Sequence, residues 1–126
     1  MRILWLSNKV LSAEDGAGTG TWLGAMAQAL IDSGAVTLGN IAAGNVTRPA
    51  RRDFGCVQQW IVPYASLKLR RGTLPDIGVD DIVRCVQAFS PDLVHVWGTE
   101  HIWGLLSARK MINGAALLEI QGLKYA

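Results

Sequence analysis

Apolar positions along this chain switch between a continuous or two-residue pattern and a helical one, and that switching predicts its elements. The run Arg2-Ile3-Leu4-Trp5-Leu6 at the N-terminus predicts a buried parallel strand. Leu23, Met26, Ala27, Leu30 and Ile31 then recur at helical spacing, and Ser33-Gly34 supplies a stop. Val36 to Ala42 reads as a second strand weakened by Gly39 and Asn40. No period survives from Ala43 to Gly55, so Thr47 to Asp53 is expected to be an exposed basic loop. Cys56 to Val62 restores an extended pattern that Pro63 ends. Asp80-Asp81, favourable at the positive end of a helix dipole, precedes Ile82, Val86 and Phe89 on one helical stripe. Leu93 to Val96 is a short β-branched strand, followed by a Gly98-Thr99-Glu100 turn and a stripe of Ile102, Leu105, Leu106 and Ile112 that Asn113-Gly114 closes. A last strand, Leu117 to Gln121, ends at Gly122. Strands alternating with helices imply an α/β fold built on a parallel sheet with right-handed crossovers.

Composition supports that architecture. The 126 residues suit one domain spanning 1–126, with enough chain to bury a real core. Half are apolar and only 17% charged, which fits a sheet covered on both faces. A net charge of +2 is too small to argue for a nucleic-acid partner. The cations are nonetheless uneven, because six of the twelve Lys and Arg (Arg48, Arg51, Arg52, Lys68, Arg70, Arg71) fall between residues 48 and 71. No apolar run is long enough to span a bilayer and no signal-peptide pattern opens the chain, so a cytoplasmic protein is expected. Cys56 and Cys85 lie in apolar segments without partners at metal-ligand spacing, so buried reduced thiols and no metal site are expected.

In open α/β sheets ligands bind beyond the C-terminal ends of the strands. Thr99, Glu100 and His101 follow such a strand and are the first candidates for contact with a ligand. Glu100 reads as a helix cap before an acceptor-orienting carboxylate. Gly18, Gly20 and Thr21 lie in a glycine-rich loop that either turns sharply or lets a ligand approach the backbone closely. That loop is not a dinucleotide fingerprint: Thr19, Thr21 and Leu23 occupy the positions where a third glycine would stand, and no Walker lysine follows. His95, inside an apolar run, reads as a core histidine, and Trp97 and Trp103 as core or interface residues before sugar-stacking platforms.

The order of these features resembles the N-terminal domain of GT-B glycosyltransferases of the family-4 type. The carriers are Gly18 and Gly20-Thr21-Trp22 opening a helix that runs to Gly34, then Pro91 to Glu100, then Ile120-Gln121-Gly122-Leu123. The resemblance covers nearly the whole chain and is loosest over residues 43 to 78. It implies a Rossmann-like sheet with helices on both faces, the acceptor-side half of an enzyme that moves a sugar from a nucleotide-sugar to an acceptor. The donor-binding C-terminal half is absent from these residues, so the chain alone is expected to be inactive and to hold no cofactor of its own. The implied substrate-facing set is Gly18, Gly20, Thr21, Thr99, Glu100, His101, Gln121 and Gly122, with no catalytic residue assigned.

Two departures from the family's pattern matter. Many relatives carry a histidine where this chain has Gln121, and glutamine exchanges hydrogen bonds but takes no proton. Glu119 interrupts a strand expected to be covered on both faces, so it must be paired, protonated or at an exposed edge. The implied partners are an acceptor glycan or lipid-linked sugar and the missing donor half, with peripheral contact of the basic segment at the inner membrane face. Self-association through the edge of strand 117–121 is also expected. A second reading, from a different class, is a free-standing α/β module that binds a small ligand or a protein without chemistry.

Overall fold

The computed structural model describes residues 1–7, 9–12, 21–64, 76–97 and 115–119; at 21–22, 76–78 and 116–119 it describes the backbone alone. The elements are β1 (Arg2–Ser7), α1 (Thr21–Asp32), β2 (Thr37–Gly44), β3 (Ala50–Arg51), β4 (Gln58–Pro63), α2 (Asp76–Phe89), β5 (Leu93–Trp97) and β6 (Ala115–Glu119). They form a six-stranded sheet in the order β3-β4-β2-β1-β5-β6, parallel except where β3 pairs antiparallel with β4. This is a Rossmann-like α/β fold with a helix on each face of the sheet.

The two-residue period of the strands sorts their side chains between those faces. Leu4, Leu6, Ile41, Trp60, Val62, Val94 and Val96 pack against Val79, Ile82, Cys85, Val86 and Phe89 of α2. Trp5, Leu38 and Trp97 point the other way, against Leu23 and Ala27 of α1, with Leu30 and Ile31 half-buried beside them. Met26, expected on the same stripe, is instead exposed at 40%. It lies at the rim of the helical face, where the buried positions are taken by Leu23 and Ala27.

The edge of the sheet at which β1 begins is tied down tightly. The Arg2 guanidinium donates to the Phe89 carbonyl, from Nη2 at 2.6 Å and from Nε at 3.0 Å, and lies 4.3 Å over the Phe89 ring. A cation thus satisfies the last carbonyls of α2 at the negative end of its dipole. Ser90 turns the chain in the left-handed region at φ 55°, and Gly34 does the same after α1 at φ 72°. Asp92 accepts from the Arg2 backbone at 2.7 Å and returns a backbone bond of 2.8 Å, which aligns β5 beside β1.

Several expected boundaries move. α2 begins at Asp76, so Asp80 and Asp81 lie inside it, where Asp81 pairs with Arg84 at 3.2 Å. The stretch after Ala42 is more ordered than its composition suggests: β2 runs on to Gly44, β3 pairs Arg51 with Trp60, and Phe54 bridges Val57. The reason is tertiary. Arg51 lies 5.3 Å over the Trp60 ring and forms a two-armed ion pair with Asp53, at 2.9 and 3.2 Å. Cys85 is buried as expected, whereas Cys56 is exposed in the turn ahead of β4, which starts only at Gln58. β6 begins at Ala115 and pairs parallel with β5, Trp97 opposite Glu119, at one edge of the described sheet. That edge position is one of the three settings that a carboxylate at 119 allows. The helix expected after Glu100 lies outside the described residues.

Candidate functional site

All the parallel strands point the same way, so Ser7, Gly44, Pro63, Trp97 and Glu119 mark one rim of the sheet. The strand order reverses at β1: the chain runs outward through β2 and β4 on one side and through β5 and β6 on the other. Such a reversal opens a crevice at the strand ends, where this class of sheet places its ligands. The sequence candidates follow these strands, Gly18 and Gly20 after β1, Thr99, Glu100 and His101 after β5, and Gln121 and Gly122 after β6. Those seven lie outside the described residues. Thr21 is placed as the first residue of α1. Trp97 is buried and meets Trp5 edge-on at 5.5 Å, while the half-buried His95 stacks on Trp97 at 4.1 Å. Trp97 is therefore a core residue.

The described part of the rim is organised by three polar side chains that the apolar pattern does not announce. Ser7, Asn40 and Gln59 are each fully buried, on β1, β2 and β4. The Ser7 hydroxyl lies 2.8 Å from Asn40 Oδ1, and Asn40 Nδ2 donates to Gln59 Oε1 at 2.8 Å and to the Lys9 carbonyl at 3.1 Å. Gln59 completes the ladder: its Oε1 accepts from the Leu11 N–H at 2.8 Å, and its Nε2 donates to the Leu11 and Arg52 carbonyls at 3.0 Å each. Its backbone carbonyl accepts from the Arg52 N–H at 2.8 Å. Every polar atom of both amides is engaged, the condition under which such groups tolerate burial. The ladder fastens the segment from Lys9 to Leu11, which follows β1, and Arg52, just after β3, onto the sheet.

Two clefts flank that fastening. A cleft of about 470 Å³ lies between α1 and the turn ahead of β4, lined by Leu11, Gln28, Arg52, Phe54 and Cys56. The second, about 370 Å³, opens at the ends of β2 and β4 and is lined by Lys9, Val10, Gly44, Asn45, Arg52 and Tyr64, among others. Arg52 borders both clefts. The Arg51 side chain beside Asp53 holds that carboxyl below its ordinary range, with a further bond from the Gln59 N–H. Burial pushes the Cys85 thiol up to about 11, with the Asp81 charge adding to it, so it is no nucleophile. Among the described residues no group of His, Cys, Asp and Glu could hold a metal ion, and no helix is long and apolar enough to cross a membrane.

Sequence reasoning passed over Asn40, Gln59, Lys9 and Tyr64. The available signal was an amide inside each of two otherwise apolar strands, which a buried polar ladder requires and a plain core strand does not.

No protein-family model matches the chain, and no curated protein matches it. Among solved structures it is similar to a sucrose-phosphate synthase from Thermosynechococcus elongatus, with a TM-score of 0.51 and 12% sequence identity. The match covers 97% of this chain and 33% of that one, so the chain spans about a third of that protein's length. At this identity the likeness is one of fold.

Proposed function

We propose that this chain is the acceptor-side domain of a glycosyltransferase that uses a nucleotide-sugar donor. One observation carries the reading: the chain aligns over 97% of its length with a third of a sucrose-phosphate synthase, a protein whose name describes the joining of sugars. The sheet reversal between β1 and β5 supports it by supplying a crevice of the kind that receives a ligand.

In this reading the acceptor's attacking hydroxyl is held near the loops that leave β1, β5 and β6. Gly18, Gly20 and Thr21 after β1, Thr99, Glu100 and His101 after β5, and Gln121 and Gly122 after β6 supply the contacts to the acceptor. Attack on the donor's anomeric carbon expels the nucleoside diphosphate, and binding that leaving group is the work of a second α/β half supplied by further residues of the native protein. Gln121 orients a hydroxyl without taking its proton. The acceptor is a glycan or a lipid-linked sugar, and the enzyme works in the cytoplasm, at the inner membrane face when its acceptor is a lipid.

Calorimetric titration of the chain with UDP- and GDP-sugars tests the division of labour. No binding at micromolar concentrations is expected, since the donor site lies elsewhere; a micromolar Kd would overturn the assignment. The native reading frame supplies a second test: it should continue into another α/β half whose presence restores donor-dependent release of UDP or GDP. A stop codon after residue 126 favours the free-standing module instead.

A further inference from the structure

We propose that the cleft at the ends of β2 and β4 binds an acidic sugar, one carrying a phosphate ester or a carboxylate, as the anchoring part of the acceptor. The inference rests on the acceptor-side reading and narrows the substrate class. At about 370 Å³ the cleft is in the size range of small-ligand sites. Lys9 and Arg52 line it, and none of the described residues that line it is acidic. Asp53, next to Arg52 in sequence, is engaged by Arg51 at 2.9 and 3.2 Å and lines the other cleft. Arg52 therefore keeps its charge available to an oxyanion, which a guanidinium grips in two-armed fashion.

The remaining lining suits the sugar ring. Tyr64 is 54% exposed, a large aromatic surface left at the mouth of a polar cleft, and aromatic faces pack against the C–H faces of pyranoses. Asn45 offers an amide that both donates and accepts. Val10, Gly44 and Ile61 add apolar lining. That lining admits nothing larger than glycine at 44, where a Cβ would lie 2.5 Å from Ile61 Cγ2 and 3.6 Å from Val10 Cγ2.

The cations arrive on separate segments, and Gln59 fixes both. Its amide binds both backbone groups of Leu11, two residues from Lys9, and the carbonyl of Arg52 itself. The two segments are thus clamped to one buried side chain before any ligand arrives, and such preorganisation lowers the ordering cost of binding. Gln59 is a positioning residue; Arg52 and Tyr64 are the contacts.

The test is a two-dimensional NMR titration of the chain with glucose 6-phosphate, glucuronate, glucose and inorganic phosphate. The acidic sugars are expected to shift amides at Val10, Gly44, Asn45 and Arg52, and neutral glucose to leave them in place. Arg52→Gln should weaken glucose 6-phosphate binding about tenfold or more, as befits a lost charge-assisted bond. Tyr64→Ala should weaken it while leaving inorganic phosphate unaffected. Among the described residues neither side chain makes a hydrogen bond or an ion pair, so the hydrogen-exchange pattern of each variant should match the parent. Equal response to glucose and glucose 6-phosphate, or affinity unchanged by Arg52→Gln, overturns the proposal. Inorganic phosphate binding as tightly as the phosphorylated sugar overturns the sugar part of it. A parallel sedimentation with phosphatidylcholine vesicles, with and without phosphatidylinositol, distinguishes a lipid headgroup from a free sugar as the source. No donor and no turnover enter these measurements, so failure of the cleft leaves the glycosyltransferase reading standing on its own tests, and failure of donor-dependent transfer leaves the cleft intact.

Discussion

Gly39 and Phe89 are in such close apposition that a methyl group at 39 would lie 2.7 Å from Cε1 of the phenyl ring. Leu4 Cδ1 would be 3.0 Å away on another side. The residue that makes β2 look like a poor strand is thus the one that lets α2 settle on the sheet. Phe89 is fully buried and cannot swing aside. Gly39→Ala should therefore destabilise the fold by about 1–3 kcal/mol through overpacking, despite alanine's better fit to an extended backbone. Urea unfolding measures it, and a stability equal to or above the parent's would show that α2 can yield.

Gln59→Leu should be costlier. It orphans the Leu11 N–H and carbonyl, takes one of its two bonds from Asn40 Nδ2, which keeps the Lys9 carbonyl, and removes a bond to the Arg52 carbonyl; each buried group left unpaired costs about 1–3 kcal/mol. A loss of about 3 kcal/mol or more is expected, with faster amide exchange at Leu11 than at Leu4. Gln58→Leu, one position earlier, is the control and should stay within about 0.5 kcal/mol.

The thiols should differ sharply in reactivity. Cys56 is exposed and Cys85 is buried with its pKa pushed up to about 11. A disulfide reagent should modify one thiol quickly in the folded chain, and Cys56→Ser should abolish that fast phase. Because the unfolded Cys85 ionises near its ordinary 9.0 while the folded one does not, stability should decline as pH climbs from 9 towards 11. Cys85→Ser, unable to ionise there, should flatten that decline.

Asp53 sets the opposite dependence at low pH. Its folded pKa is lowered by the bond from Arg51, so the ion pair contributes above the unfolded carboxylate range and is lost as pH falls through the folded value. The pair is exposed, and its weight in global stability is small. Carbon-detected titration should place the Asp53 midpoint below that of a free aspartate, and Arg51→Gln should move it back towards the ordinary range, with the Gln59 N–H bond remaining.

Legibility from sequence follows what local pattern can carry. β1 and β5 were readable because Ile3 to Leu6 is apolar without interruption and Leu93 to Val96 is broken only by His95, a pattern that fits strands covered on both faces. The α/β class followed, and with it the rim at which ligands are expected. What escaped was decided by partners distant in sequence. Gly39 and Asn40 weaken a local strand pattern for reasons that lie at Phe89 and Gln59. β3 has only two residues and leans on Arg51 over Trp60. The start of α2 was placed late because Asp80-Asp81 mimics an N-terminal signal that Asp76 already provides. At the site, reading outward from strand ends pointed to the loops after β1, β5 and β6, whereas the clamped cations beside β2 and β4 depend on two amides that composition counts merely as interruptions.

The buried ladder has one more consequence, for strand alignment during folding. Parallel strands as uniformly apolar as these gain almost as much burial when one slides by two residues along its neighbour, since each face keeps its apolar character. Hydrophobic burial alone therefore discriminates poorly between the native pairing and its displaced copies. With Asn40 opposite Gln59 and the Ser7 hydroxyl 2.8 Å from Asn40, any such slide strands amides in the interior with nothing to bind. Three polar residues thereby act as a vernier: they single out one alignment of β1, β2 and β4 by making every sliding error expensive.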